Sequence, residues 1–259
     1  MNNQLKVIAS FGEKYQKEYL YNKIGKQDLQ KLLKENWYEA LIFFFNKSFK
    51  RGRKNEISLR FLHKTIKVLD EYFKNSARMP ILKENWKFTL QNKLQKGEVT
   101  NRYDRGMVLS TLELIQNLDD NNIINYSLQL IENNQIEIIY NQLDSLIAVG
   151  DKIASYFLRD VACIFDSNIH NDKQVLLQPI DTRVSYILEE LHIAQKNEIN
   201  KAKKGNKNSL KHVREAIIKR CNESRVSPIE FNQGAWYLGF HNLFHHLERS
   251  NAGISVSAE

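Results

Sequence analysis

A lysine and an aspartate at two expected helix starts are the residues of this chain whose types and places could do chemistry. Lys152 lies in Leu146-Ile-Ala-Val-Gly-Asp-Lys-Ile-Ala154, in the first turn of a helix that should begin near Asp151. There the positive end of the helix dipole and partial burial disfavour the ammonium form and favour a neutral, nucleophilic amine. Asp181 lies in Gln178-Pro-Ile-Asp-Thr-Arg-Val184, at the N-cap position of a later helix. An amine that attacks carbon and a carboxylate that steadies positive charge on a sugar can together cut an N-glycosidic bond. Each residue also has a plainer role. An N-cap aspartate contributes about 1 kcal/mol to helix stability by itself, and a lysine on a helix surface is commonly just solvated.

The elements that must position this pair follow from apolar spacing. Ile136, Ile139, Tyr140 and Leu143 recur at helical intervals, so residues 135–145 read as a helix that stops before Ala148-Val149-Gly150. A second helix carries Ile153, Phe157 and Ile164 on one side. Between them the chain turns tightly, and backbone amides at a helix start of this kind attract phosphate. Val184, Ile187, Leu188 and Leu191 mark the helix that Asp181 opens.

Taken together these segments resemble the helix-hairpin-helix DNA glycosylase superfamily, which contains endonuclease III and the oxidised-guanine glycosylases. The family hairpin usually reads Leu-Pro-Gly-Val-Gly-x-Lys-x-Ala, and residues 146–154 occupy the same places, with Ile147 and Ala148 replacing the Pro and first Gly. Lys152 matches the family's Schiff-base lysine, and Ile180-Asp181-Thr182-Arg183 matches the segment of its essential aspartate. The resemblance implies two helical lobes with an active-site cleft between them. One would be a bundle of residues 35–165 carrying the hairpin, the other residues 1–34 and 166–259. It implies a DNA glycosylase that rotates a modified base out of the duplex and, through Lys152, also acts as an AP lyase. Ala148, Val149 and Gly150 would hold a phosphate, and Arg51, Arg53 and Arg183 would contact DNA. Ile153-Ala-Ser-Tyr-Phe-Leu-Arg159 is most like a run in microbial oxidised-guanine glycosylases, so an oxidised purine is one expected substrate. A bulky modified base of foreign DNA is the other.

Composition sets the outer limits. The chain has 259 residues, 42% hydrophobic content, three prolines and a formal charge of +8, with pI near 9.3. It can bury a sizeable core and suits a polyanionic partner. No apolar run approaches a membrane span and the N-terminus lacks a signal-peptide pattern, so an intracellular protein is expected. The resemblance further implies a monomer on double-stranded DNA, nucleoid-associated in the cytoplasm. Cys163 and Cys221 are the two cysteines and cannot supply the four ligands of an iron–sulfur cluster. His241, His245 and Glu248 are spaced one helical turn apart but lack a zincin pattern, and neither metal nor cofactor is expected.

Helical spacing dominates elsewhere, and an all-α fold is expected. Residues 37–45, WYEALIFFF, form a buried helix; Leu62, Ile66, Leu69 and Phe73 mark the next, and residues 104–118 and 125–131 two more. Residues 46–54 between the first two read as a basic loop, in which Arg51 and Arg53 face either DNA phosphate, an orphaned base or solvent. Residues 196–211, KNEINKAKKGNKNSLK, read as an exposed loop or frayed helix end, open to solvent or to DNA. Ser227-Pro228-Ile-Glu230 opens a last helix, in which Trp236 packs. Two other function classes fit the same sequence: a non-enzymatic helix-hairpin-helix DNA-binding module, and a helical scaffold without a nucleic-acid role.

Overall fold

The structure, a computed structural model, describes residues 2–21, 24–50, 53–73, 79 and 84–244. It is all-helical, and among these residues there is no strand. The helices are α1 (Asn2–Tyr15), α2 (Lys26–Glu35), α3 (Trp37–Ser48), α4 (Asn55–Phe73), α5 (Trp86–Lys96), α6 (Arg102–Ile115) and α7 (Ile123–Glu132). They continue with α8 (Ile136–Ser145), α9 (Gly150–Ile164), α10 (Thr182–Glu190), α11 (Lys196–Lys203), α12 (Lys207–Ser224) and α13 (Pro228–Phe240). A π-helical stretch, Gln16–Tyr21, prolongs α1, and a 3-10 turn, Gln174–Leu177, precedes α10.

Sequence punctuates these helices with side-chain caps. Asn36, Asn101 and Asn122 accept the first amides of α3, α6 and α7. Ser227 accepts the Glu230 amide of α13, with Pro228 at the first position, where a missing N–H costs nothing.

The chain divides into two compact units, residues 24–169 and residues 1–23 with 170–259. Residues 24–34, expected with the second group, belong to the first. The reason is polar anchoring of α2. The Asn122 side chain donates to the carbonyls of Leu33 and Lys34 at 2.8 and 3.2 Å. Gln30 donates to the Ile164 carbonyl at 2.6 Å, and Lys26 pairs with Asp166 at 2.5 Å.

In the 24–169 unit, Leu41, Phe44, Phe45, Met107, Leu112, Leu143, Phe157 and Leu158 are fully buried, and Phe44 meets Phe157 edge to face at 5.1 Å. The expected loop over 46–54 is corrected at its start, because α3 continues to Ser48 and Phe49 is buried. Lys47 does not end the helix. Its ammonium bonds Asp160 at 2.7 Å inside the protein and lies 5.0 Å from the rings of both Phe43 and Tyr156. Arg159 beside it is fully buried and also pairs with Asp160, at 2.8 Å. A buried charge is tolerated when paired in this way.

In the other unit, Leu5 and Ile8 of α1 share one core with Val184, Ile187 and Leu188 of α10, Val213 and Ile217 of α12, and Phe231, Ala235 and Leu238 of α13. Residues 196–211 are corrected from a loop to two helices joined at 204–206. Ile199 and Ala202, the only apolar residues of α11, are both buried in that core and hold the helix.

Candidate functional site

The turn that carries Lys152 is built from left-handed backbone on both sides of Val149. Ala148 has φ +61° and Gly150 φ +69°. Gly150 is suited to this conformation, whereas Ala148 adopts it at a cost of about 1 kcal/mol. A Cβ added at Gly150 would meet nothing within 4 Å, so the backbone there faces open space. Val149, the N-cap of α9, supplies no side-chain acceptor to the helix start.

The turn is fastened from outside. The Ile147 amide donates to the Ser110 hydroxyl at 3.2 Å. Ile147 also lies over Gly106 of α6, where an added Cβ would come within 2.8 Å of its side chain. Asp151 accepts a hydrogen bond from the Tyr140 hydroxyl, tying α9 to α8. Lys152 is half-buried on the first turn of α9, and among the described residues no carboxylate pairs with it. Gly106 and Ser110 were missed in the sequence, and Tyr140 was read only as a helix-marking position. A glycine inside an otherwise regular helix was the one available signal.

Asp181 is the N-cap of α10. One carboxylate oxygen accepts the amides of Arg183 and Val184, both at 2.9 Å, and the other lies 3.4 Å from the Arg183 guanidinium. The side chain is 18% exposed. Two buried donors fix the preceding turn. Arg214 Nε bonds the Gln178 carbonyl at 2.9 Å, and Asn232 Nδ2 the Pro179 carbonyl at 3.3 Å. Arg214 and Asn232 also went unnoticed in the sequence. Each is a polar residue beside an apolar stripe, which is how a buried positioning group looks from sequence.

Arg183 lies over aromatic rings, with its guanidinium carbon 5.3 Å from the Trp236 ring and 5.0 Å from that of Phe240. These two rings stack at 4.9 Å with only 10° between their planes. Tyr19, in the π-helical stretch, meets both edge to face at 5.2 and 5.9 Å. Trp236 thus packs as expected, but as one plate of a half-exposed aromatic group beside Asp181.

Arg53, read from the sequence as facing DNA or solvent, has partners within its own unit. It forms a two-pronged ion pair with the fully buried Asp104, at 2.8 and 3.1 Å, donates to the Ser58 hydroxyl at 3.3 Å and stacks on Phe61 at 5.0 Å. Its charge is therefore used inside its own unit. Arg51, His245 and Glu248 lie outside the described residues. Cys221 is buried, which pushes its thiol up to about 12 and leaves it a protonated core group. Among the described residues no group of three metal-ligating side chains comes together, and no helix is long and apolar enough to cross a membrane.

Lys152, Ala148, Val149, Gly150 and Arg53 belong to the 24–169 unit, and Asp181 and Arg183 to the other. Within the units, the structure brings Arg183 to Asp181 and sets Lys152 two residues after Gly150 of the Ala148–Gly150 turn.

No family model matches the chain. Over 70 residues, 27% of its length, it is 40% identical to "Uncharacterized protein MJECL21" of Methanocaldococcus jannaschii. That match spans 16% of the archaeal protein. No solved structure matches. The similarity is local and carries no activity with it.

Proposed function

We propose that this protein is a DNA glycosylase with AP-lyase activity, which excises a modified base through Lys152 and Asp181. The observation that carries the reading is the α8–α9 turn. It has two left-handed residues around Val149, an open approach to Gly150 and no side-chain cap, followed after Asp151 by a lysine without a carboxylate partner among the described residues. That geometry suits a helix-hairpin-helix motif holding one DNA phosphate, which fixes register without reading sequence.

In the proposed reaction, the target nucleotide is rotated out of the stack, because its anomeric carbon is unreachable within the duplex. Nζ of Lys152 attacks C1′. The C1′–N bond breaks, its electron pair leaves with the base, and the base takes up a proton. The Asp181 carboxylate stabilises the positive charge that develops on the sugar. Loss of a proton from nitrogen and opening of the sugar ring give an imine. Proton removal at C2′ then expels the 3′ phosphate by β-elimination. The neighbouring Arg183 would neutralise part of the Asp181 charge or, moved from the carboxylate, reach a phosphate. The substrate is a modified base, either an oxidised purine or a bulky modified base of foreign DNA.

The test is to incubate the protein with duplexes that each contain one defined modified base and identify released bases by mass spectrometry. Release from one class supports the reading and names the substrate. Duplex binding without release of any base would favour the second reading, a non-enzymatic DNA-binding module. That second reading has an observation of its own, since both oxygens of Asp181 already have partners within the fold.

A further inference from the structure

We propose that the turn between α11 and α12 is a second DNA-backbone contact, in which Lys201, Lys203, Lys204 and Lys207 grip phosphates. The inference rests on duplex DNA being the substrate. It concerns residues that take no part in the chemistry at Lys152 or Asp181.

The turn is a rigid mount rather than a loose tail. The Asn206 amide bonds the Lys201 carbonyl at 3.1 Å and the Gly205 amide the Ala202 carbonyl at 2.9 Å, with Gly205 left-handed at φ +85°. This double closure of a helix C-terminus uses glycine where a side chain would be strained. Asn206 then caps α12 by accepting the Ser209 amide at 2.9 Å. Buried Ile199, Ala202, Ser209 and Val213 anchor the helices on either side. Residues 203–208 are exposed without interruption.

Charge is what sets this turn apart. Flanking ionic groups are matched: Lys196 with Glu189, His212 with Glu198 and Lys211 with Glu215, at 3.6–3.7 Å. Among the described residues, Lys201, Lys203, Lys204 and Lys207 have no such partner. Lys201 and Lys203 suit the negative end of α11, but Lys207 occupies the first turn of α12, which contains no acid and where a cation is disfavoured. Four like charges around one fixed turn repel each other in the free protein. A row of phosphates relieves that repulsion. Because the backbone is already ordered, only the lysine side chains lose freedom on binding. The common alternative for a lysine run is a solvated face, and salt dependence separates the two.

The experiment replaces all four lysines with glutamine in the full chain and follows binding to an unmodified 30-base-pair duplex by fluorescence anisotropy over a salt series. Four released counterions should reduce the slope of log affinity against log salt by about three to four. Between 50 and 200 mM salt this removes on the order of a hundredfold of the wild-type affinity loss. The all-arginine variant should restore the slope. Slope and affinity unchanged in a glutamine variant of wild-type helicity would overturn the proposal. So would loss of binding to phosphatidylserine vesicles with duplex binding intact, which would assign the lysines to a lipid surface. Borohydride trapping at saturating protein, on duplexes that each contain one defined modified base, reads the glycosylase reaction separately. A wild type that shows a lysine-dependent slope without trapping defeats the reaction and leaves this contact standing; trapping with an unaltered slope does the reverse.

Discussion

The helix starts of α9 and α10 solve the same electrostatic problem in opposite ways. At α10 the protein supplies its own anion: Asp181 takes two backbone amides at 2.9 Å, and buried Arg214 and Asn232 hold the turn before it. At α9 the N-cap is Val149, which has no acceptor, and the backbone bends through Ala148 and Gly150 into open space. A helix start that binds its own carboxylate is finished as a fold. The start of α9 has Asp151 in its first turn but no capping side chain; the Val149 amide donates to the Leu146 carbonyl at 3.2 Å, and the open approach at Gly150 is suited to an anion from elsewhere. The proposed function needs both kinds, one to hold a phosphate and one to hold a carboxylate steady.

Asp181→Asn should have the largest effect and separates capping from catalysis. Asparagine caps a helix about as well as aspartate, so the melting temperature should hardly move, while single-turnover base release falls by roughly a hundredfold or more. Near-normal release from a well-folded Asp181→Asn protein would leave the residue as a cap alone.

Arg53→Ala should come next, and its effect should be on stability. Removing the guanidinium takes a two-pronged ion pair from the buried Asp104 carboxylate, a loss of about 3 kcal/mol. The salt slope of duplex binding should stay as in the wild type. A fall in that slope would make Arg53 a DNA contact as well as an internal ion pair.

At the α8–α9 turn, Ala148→Gly should stabilise by about 1 kcal/mol, because it relieves a left-handed alanine. Gly150→Ala should destabilise by a similar amount. If a phosphate approaches Gly150, its duplex affinity should also drop. Since the new methyl group meets no protein atom within 4 Å, unchanged affinity in a folded Gly150→Ala protein would place the phosphate elsewhere.

An effect absent at neutral pH concerns α12, which supplies Arg214 to the Asp181 turn. The Cys221 thiol is held protonated up to about 12 in the fold, against an ordinary value of 9.0. The unfolded chain loses that proton first. Its contribution is therefore complete below pH 9 and is lost as pH rises toward 12. The stability advantage of the wild type over Cys221→Val should narrow across that interval, measured by denaturant melts. A constant difference would show that the thiol is accessible in the fold.

The helices were legible in the sequence where one face is plainly apolar, as in α8, α9 and α10, and so was the Asp181 cap, which Pro179 and the apolar run after it announce. Residues 196–211 were not, because two buried side chains, Ile199 and Ala202, suffice to dock a helix whose other positions are polar. Lys47 and Arg53 looked like surface charge because their partners, Asp160 and Asp104, lie 113 and 51 residues away in sequence. Composition identifies a charge but not whether the fold returns a carboxylate to it. The supports of the site, Gly106, Ser110, Arg214 and Asn232, were hidden for the same reason, since each acts on a backbone segment distant in sequence.

The most direct measurement is borohydride trapping of the protein on a duplex containing the modified base that it releases. Wild type should give a covalent protein–DNA band, and Lys152→Ala should give none while binding the duplex about as well. Base release by a wild type that never traps, or trapping that survives Lys152→Ala, would contradict the assignment of Lys152 as the nucleophile.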